Sequence, residues 1–212
     1  MYIFKVVFDM FEEYLKYVKD YLTIHNGLVP PHPQMSFRTK FDHIVRVLGW
    51  AKRLTEGRND VDKEVLYTAA IFHDIGYSNK VKEFHAERGA EVFYEYGIKR
   101  NMDLDFIEKV KNLIHLHSSK ELLKEKNIPI ELIILMEADI LDEEGALRMV
   151  WYSIDKGVTG AQSYEEVYKH IVMGNNKRLV NPMVTEKAKY YWNEKQKLVE
   201  AFTKQLESDV IF

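Results

Sequence analysis

Apolar side chains recur every three to four residues along most of the chain, which is the spacing of one face of an α-helix. Alternating apolar and polar runs between turn residues, which would indicate strands, are missing from the sequence. We therefore predict an all-α protein. The expected helices cover residues 3–24, 39–56, 60 or 62 to just before 76, 82–96, 104–117, 129–141, 144–155, 164–173 and 182–208.

Prolines, glycines and capping residues define several of the expected helix ends. Three prolines exclude a helix interior from residues 25–40, so this segment is either an ordinary loop or the rim of a site. Asp60 or Asp62 caps the third helix. Gly76 stands where a left-handed residue is expected to end that helix, and Gly97 closes the fourth. No repeat or low-complexity segment is visible, so we expect a single domain.

The composition narrows the class of protein. The 212 residues include 46% hydrophobic and 30% charged side chains, as in a folded globular protein. A net charge of −3 argues against a general nucleic-acid binder. The absence of cysteine excludes disulfides, thiolate metal sites and cysteine nucleophiles. No apolar run is long enough for a membrane span, and charges interrupt the apolar N-terminal segment, so we expect a cytoplasmic protein without a signal peptide.

Four ionisable side chains fall on helix faces that are otherwise apolar: His43, His73, Asp74 and Asp139. A buried carboxylate is unfavourable unless it is paired or bound to a metal. Each residue alone has a structural alternative, a hydrogen-bonded core side chain or, for Asp139, a helix-end carboxylate. Because the four residues come from three separate helices, we expect that they meet at one site.

These residues carry a resemblance to a known family. The segments FDHIVRV, AAIFHDIGYS and EADILDEEGA contain a His, a His-Asp pair and an Asp in that order, and they resemble the HD-domain superfamily of metal-dependent phosphohydrolases. The similarity covers about residues 36–150, within a single domain over residues 1–212 with flanking helices. It implies a helical bundle of the HD-domain type in which His43, His73, Asp74 and Asp139 bind one divalent cation. Such ligands suit Mn, Fe, Co, Ni, Zn or Mg.

Some HD families add two histidines and bind a second metal, with the Asp of the pair as the bridging ligand. His85 and either His115 or His117 would fill these positions here. His117 shares its helix face with apolar residues, whereas His115 shares a solvated face, so we expect His117 to point inward. His85 is expected to face outward beside small residues. One ion is the first expectation and two are the alternative, with phosphate binding or a polar wall as the other roles of His85 and His117.

A phosphate substrate needs positive charge nearby, and several residues offer it. Arg46 is the preferred candidate because it lies one turn after His43. Tyr77 could stack on a base or simply pack. The candidates for contacts with substrate are Arg46, Lys80, Arg88 and Tyr77, with Lys120 and Arg148 as further options. The catalytic candidates are Asp74, Arg46 and Lys80. Each cation also has the alternative of an ordinary surface residue.

The resemblance implies a metal-dependent phosphohydrolase that cleaves a phosphoester or phosphoanhydride bond, of a nucleotide, with a metal-bound hydroxide. A di-iron oxygenase of the HD type and a non-catalytic metal- or nucleotide-binding module are the alternatives. The partner is a small phosphorylated molecule, and the chain is a monomer or a homodimer. We expect Asp74→Asn to lower metal affinity and turnover, and to stabilise the metal-free fold by removing an uncompensated buried charge.

Overall fold

The computed structural model describes residues 2–30, 32–77, 83–176 and 180–210. These residues form α-helices and contain no strand, which confirms the all-α prediction. The helices are α1 Tyr2–Ile24, α2 Lys40–Leu54, α3 Lys63–Phe72, α4 His85–Lys99, α5 Leu104–Leu116, α6 Ile130–Asp142, α7 Ala146–Val158, α8 Tyr164–Asn176 and α9 Glu186–Val210. Two short 3-10 helices cover Pro33–Met35 and Lys120–Lys124. Across the described ranges, no helix combines the length and apolar character that crossing a bilayer requires.

The chain folds as two compact units, residues 1–139 and 140–212. In the first unit, α3 is the central helix and packs against α1, α2, α4 and α5. Its residues from Thr68 to Phe72 are all buried, and Ala69 and Ala70 allow neighbouring helices to approach closely. Of the two expected caps, Asp62 is the one used, since its carboxylate accepts a hydrogen bond from the Val65 amide at 3.2 Å.

Gly76 and Gly97 do not adopt the conformations expected from the sequence. Gly76 has no left-handed backbone; instead, a side chain there would collide with the carbonyl oxygen of His85 and lie 2.6 Å from the Gly89 amide nitrogen. Gly97 lies inside α4, where a Cβ would be 2.7 Å from Ile107, and Asn101 takes the left-handed position. Both glycines therefore serve close packing rather than helix termination.

The second unit has a small core of its own. Met149, Ile171 and Val199, one each from α7, α8 and α9, pack together. Arg148 forms a buried ion pair with Glu144 at the start of this unit. Arg148 was a further option for binding phosphate, but its guanidinium is only 2% exposed, so the structure places it in a structural pair instead.

Candidate metal centre

Six side chains from five helices converge in the first unit, and most of them stand at helix ends. His43 lies in the first turn of α2 and Asp139 in the last turn of α6. His73 and His117 directly follow the last residues of α3 and α5, and His85 is the first residue of α4. We call this set the His/Asp cluster; its members are His43, His73, Asp74, His85, His117 and Asp139.

The first part of the cluster surrounds one carboxylate oxygen of Asp74. The Oδ2 atom of Asp74 lies 3.4 Å from Nε2 of His43 and 3.5 Å from Nε2 of His73. The two Nε2 atoms are 3.3 Å apart, and the Oδ1 atom of Asp139 lies 3.1 Å from that of His43. The structure therefore brings together the four residues that the sequence singled out.

The second part of the cluster surrounds the other oxygen of the same carboxylate. The Oδ1 atom of Asp74 lies 3.3 Å from Nε2 of His85 and 3.5 Å from Nε2 of His117. These two Nε2 atoms are themselves 3.3 Å apart. Asp74 thus stands between two pairs of imidazoles and presents one oxygen to each pair.

The spacing of these atoms fits metal coordination. Two ligand atoms at 2.0–2.3 Å from one ion, at angles between those of octahedral and tetrahedral geometry, lie about 2.8–3.8 Å apart. The seven separations given above lie between 3.1 and 3.5 Å. Imidazole nitrogens combined with carboxylate oxygens suit a divalent transition metal. The donor set and its geometry therefore fit divalent metal ions.

A hydrogen bond from Nδ1 to a main-chain carbonyl oxygen holds two histidines in the tautomer that can bind a metal through Nε2. Nδ1 of His73 is 2.8 Å from the carbonyl oxygen of Ala70, and Nδ1 of His117 is 2.6 Å from that of Ile114. A proton on each Nδ1 satisfies the carbonyl and leaves Nε2 as an electron-pair donor toward the cluster. Burial lowers the pKa of His73 to about 3, against an opposing effect of Asp74, so this imidazole is neutral at physiological pH.

Two lysines compensate the two carboxylates. Lys40 Nζ lies 2.8 Å from Asp74 Oδ2, and Lys120 Nζ lies 2.6 Å from Asp139 Oδ2. Burial alone would raise the pKa of Asp74, but Lys40 and the neighbouring imidazoles hold it well below its usual range. Lys120 and His43 do the same for the pKa of Asp139 against the effect of burial. Since the charge of Asp74 is compensated, the expected stabilisation by Asp74→Asn loses its physical basis.

The exposure of the histidines tests the predicted helix faces. His117 is 2% exposed and His115 is exposed, which confirms the predicted register of α5. The outward orientation expected for His85 is wrong, because its side chain is only 16% exposed and points to Asp74. The packing of Gly76 against the first turn of α4 brings His85 to this position.

The remaining predicted site residues have varied surroundings. Arg88 donates two hydrogen bonds to the carbonyl oxygen of Gly76, at 3.0 and 2.5 Å, and so fastens the turn that carries Asp74. The Tyr77 ring lies below the Lys40 ammonium, 3.8 Å from ring centroid to Nζ, and 4.4 Å from the His85 ring. Arg46 is half-buried on α2, one turn beyond His43, and Lys80 lies outside the described residues. Contacts of these residues with substrate stay a prediction.

Lys40, which contacts Asp74 of the His/Asp cluster, is the residue of the site that the sequence analysis missed. It is the first residue of α2 and stands three positions before His43, so both side chains lie on the same face of that helix. The three-residue spacing from His43 was the feature of the sequence that could have indicated Lys40. It was not singled out because a lysine next to a loop is ordinarily a solvated surface residue.

Comparisons with known proteins agree with this fold. Residues 41–144 match the family model of the HD domain. YpgQ from Bacillus subtilis, in its complex with ADP, superimposes with a TM-score of 0.69 at 22% identity over 97% of both chains. An HD-superfamily hydrolase from Bacillus thuringiensis gives 0.65 at 19% identity, over 96% of this chain and 97% of its own. No curated protein matches the chain.

The fold and the cluster together define an all-α protein in which clustered His and Asp side chains come from successive helices. A predicted HD superfamily hydrolase from an uncultured Thermotogales bacterium shares this fold, with a TM-score of 0.61 at 19% identity over 93% of this chain and 91% of its own. The matched segment, residues 41–144, contains all six members of the His/Asp cluster. This segment, 104 of the 212 residues, is therefore similar to the HD domain.

Proposed function

We propose that this chain is a metal-dependent phosphohydrolase that cleaves a phosphoester or phosphoanhydride bond of a nucleotide. The observation that carries the proposal is the position of Asp74, whose Oδ2 faces His43 and His73 while its Oδ1 faces His85 and His117. This arrangement favours two divalent ions that share the Asp74 carboxylate, with Asp139 as a further ligand of the first ion.

The ions would supply the Lewis acidity that activates water and polarises a phosphoryl oxygen. The residues around them account for the rest of the proposed chemistry. Asp74 and the four imidazoles fix the positions of the reacting groups, because three of the histidines stand at helix ends packed into the unit. Arg46 lies one turn from His43, where its charge would stabilise phosphate oxygens as negative charge develops.

The nucleotide part of the proposal is supported by the structural similarity. YpgQ, which has the same fold over nearly its whole length, is known in a complex with ADP. A basic side chain such as Arg46, beside paired candidate metal ligands, also suits the polyphosphate of a nucleotide. We therefore place nucleoside di- and triphosphates first among the compounds to be tested.

Turnover by metal-loaded protein tests the proposal. The protein is stripped with chelator, dialysed, reloaded with Mn²⁺ and assayed for phosphate and pyrophosphate release from nucleoside mono-, di- and triphosphates. We expect turnover that requires the metal. Asp74→Asn preserves the shape of the side chain but removes its charge, so kcat should fall on the order of 100-fold or more while KM changes little.

His115→Gln is the matched control, because His115 is exposed and lies outside the cluster. It should retain wild-type turnover. Activity that persists after exhaustive chelation would rule out the metal-dependent mechanism. Folded, metal-loaded protein that releases no phosphate from any compound in the panel would instead indicate a non-catalytic binding module.

A di-iron oxygenase is the second candidate function. It is favoured by the second pair of imidazoles, since a bridging carboxylate with histidines on both sides also suits a pair of iron ions. Anaerobic purification followed by metal analysis and oxygen-uptake measurements distinguishes the two reactions. Two irons per chain together with substrate-dependent oxygen consumption would favour the oxygenase over the phosphohydrolase.

A further inference from the structure

The two lysines of the site contact their carboxylates in different ways. Lys40 Nζ lies 2.8 Å from Oδ2 of Asp74, which is the oxygen that also faces Nε2 of His43 and of His73. Lys120 Nζ lies 2.6 Å from Oδ2 of Asp139, whereas it is the Oδ1 atom of Asp139 that faces His43. Only Lys40 therefore contacts an oxygen that the first metal ion requires.

The surroundings of Lys40 provide a second place for its ammonium group. The ring centroid of Tyr77 is 3.8 Å from Nζ, so a cation–π contact remains available if the contact with Asp74 is lost. The side chain is 28% exposed and stands on the first residue of α2, which leaves room for movement toward solvent. Lys40 is thus held at Asp74 without being enclosed there.

We propose, on the basis of the metal-dependent function above, that Lys40 competes with the first divalent ion for Asp74 and so sets the metal affinity of the site. Lys120 neutralises Asp139 through the oxygen that the ion does not use and remains in place. A lysine ammonium next to a divalent ion opposes its binding by Coulomb repulsion, and this effect is strong in a poorly solvated site. Lys40 also stabilises the metal-free protein by compensating the buried carboxylate.

Two measurements on one variant separate this role from a purely structural one. Lys40→Met retains most of the side-chain length and removes the charge. Calorimetric titration with Mn²⁺ should show binding that is tighter by roughly tenfold, because no ammonium opposes the ion. Thermal unfolding in chelator should show a lower Tm, because Asp74 has lost its cation. A structural lysine would give the lower Tm without the tighter binding.

Matched variants define the expected result. Lys40→Arg keeps the positive charge and should bind Mn²⁺ with an affinity close to that of the wild type. Lys109→Met removes one positive charge from an exposed ion pair with Asp105 on α5, eight residues before His117 along the chain, and should also bind as the wild type does. If Lys40→Met does not fold in chelator, Lys40→Gln, which can still donate a hydrogen bond to Asp74, takes its place with the same expected direction.

The outcomes distinguish this inference from the proposed function. Mn²⁺ affinity in the neutral Lys40 variants that is equal to or weaker than that of Lys109→Met overturns the competition, although the metal-dependent function stands. Absence of Mn²⁺ binding in the wild type and in every variant overturns both. Tighter binding by Lys40→Met but not by Lys40→Arg supports the inference.

Discussion

At the scale of single residues, His73 shows how the fold orients a side chain that we propose as a metal ligand. Its Nδ1 is bound to the Ala70 carbonyl oxygen at 2.8 Å, and its ring is completely buried. The hydrogen bond fixes the direction of Nε2, and burial keeps the ring neutral. The two effects act independently, since one depends on local helix geometry and the other on tertiary packing.

The neutral state of His73 predicts a pH dependence of stability. The pKa is 6.5 in the unfolded chain and about 3 in the folded protein, so between these values the unfolded state binds the extra proton. In chelator, the free energy of unfolding should fall as the pH is lowered through this window, by about 1.4 kcal/mol per pH unit for this residue. Denaturant unfolding of the wild type and of His73→Gln between pH 7.5 and 4.5 measures this change in the free energy of unfolding. Equal slopes for the two proteins would contradict the prediction.

At the scale of secondary-structure elements, helix ends position the members of the His/Asp cluster. The turn after α3 carries Asp74 and is fastened to α4 through Arg88 and the close approach of Gly76 to His85. The end of α5 carries His117 in the same way that the end of α3 carries His73. A shift of α4 or α5 by a single residue would therefore move one imidazole away from Asp74.

The register of α5 gives a prediction for metal stoichiometry. His117→Gln removes a ligand that lies 3.5 Å from Asp74 Oδ1, so the bound Mn²⁺ should fall from two ions per chain to one. His115→Gln changes the same residue type two positions earlier, on the exposed face, and should keep both ions. Elemental analysis after removal of free metal gives the ratio. Two ions retained by His117→Gln would show that His117 is not a ligand.

Helical periodicity was sufficient to predict the faces that carry His43 and Asp139, because one-sided burial is encoded locally by the apolar residues around them. The inward orientation of His117 followed in the same way. The contacts of Lys40, Arg88 and Gly76 could not be predicted, since each depends on a neighbouring helix or turn that is distant in sequence or on a close backbone approach. The sequence pattern thus located most of the proposed ligands, while the charges around them required the tertiary structure.

At the scale of the whole molecule, all six members of the His/Asp cluster belong to the unit formed by residues 1–139. Asp139 is 96 residues from His43 along the chain, yet its Oδ1 lies 3.1 Å from Nε2 of that histidine. The proposed ligands from α2 to α6 can meet only when this unit is folded, so we expect metal binding and folding to be thermodynamically linked.

This linkage predicts that Mn²⁺ stabilises the full-length protein. A ligand at 100 times its Kd adds about 2.7 kcal/mol to the free energy of unfolding if it binds only the folded state. For a chain of this size, that corresponds to a rise in Tm of roughly 5–10 °C. Asp139→Asn removes one carboxylate proposed to bind the first ion and should reduce the rise in Tm, whereas Lys109→Met should preserve it.

Hydrogen exchange with and without Mn²⁺ should show slower exchange in the segments that carry the proposed ligands, from α2 through α6. A Tm that does not respond to Mn²⁺, at concentrations that saturate binding by calorimetry, would show that the folded and unfolded chains bind the ions equally and would contradict a site that requires the fold.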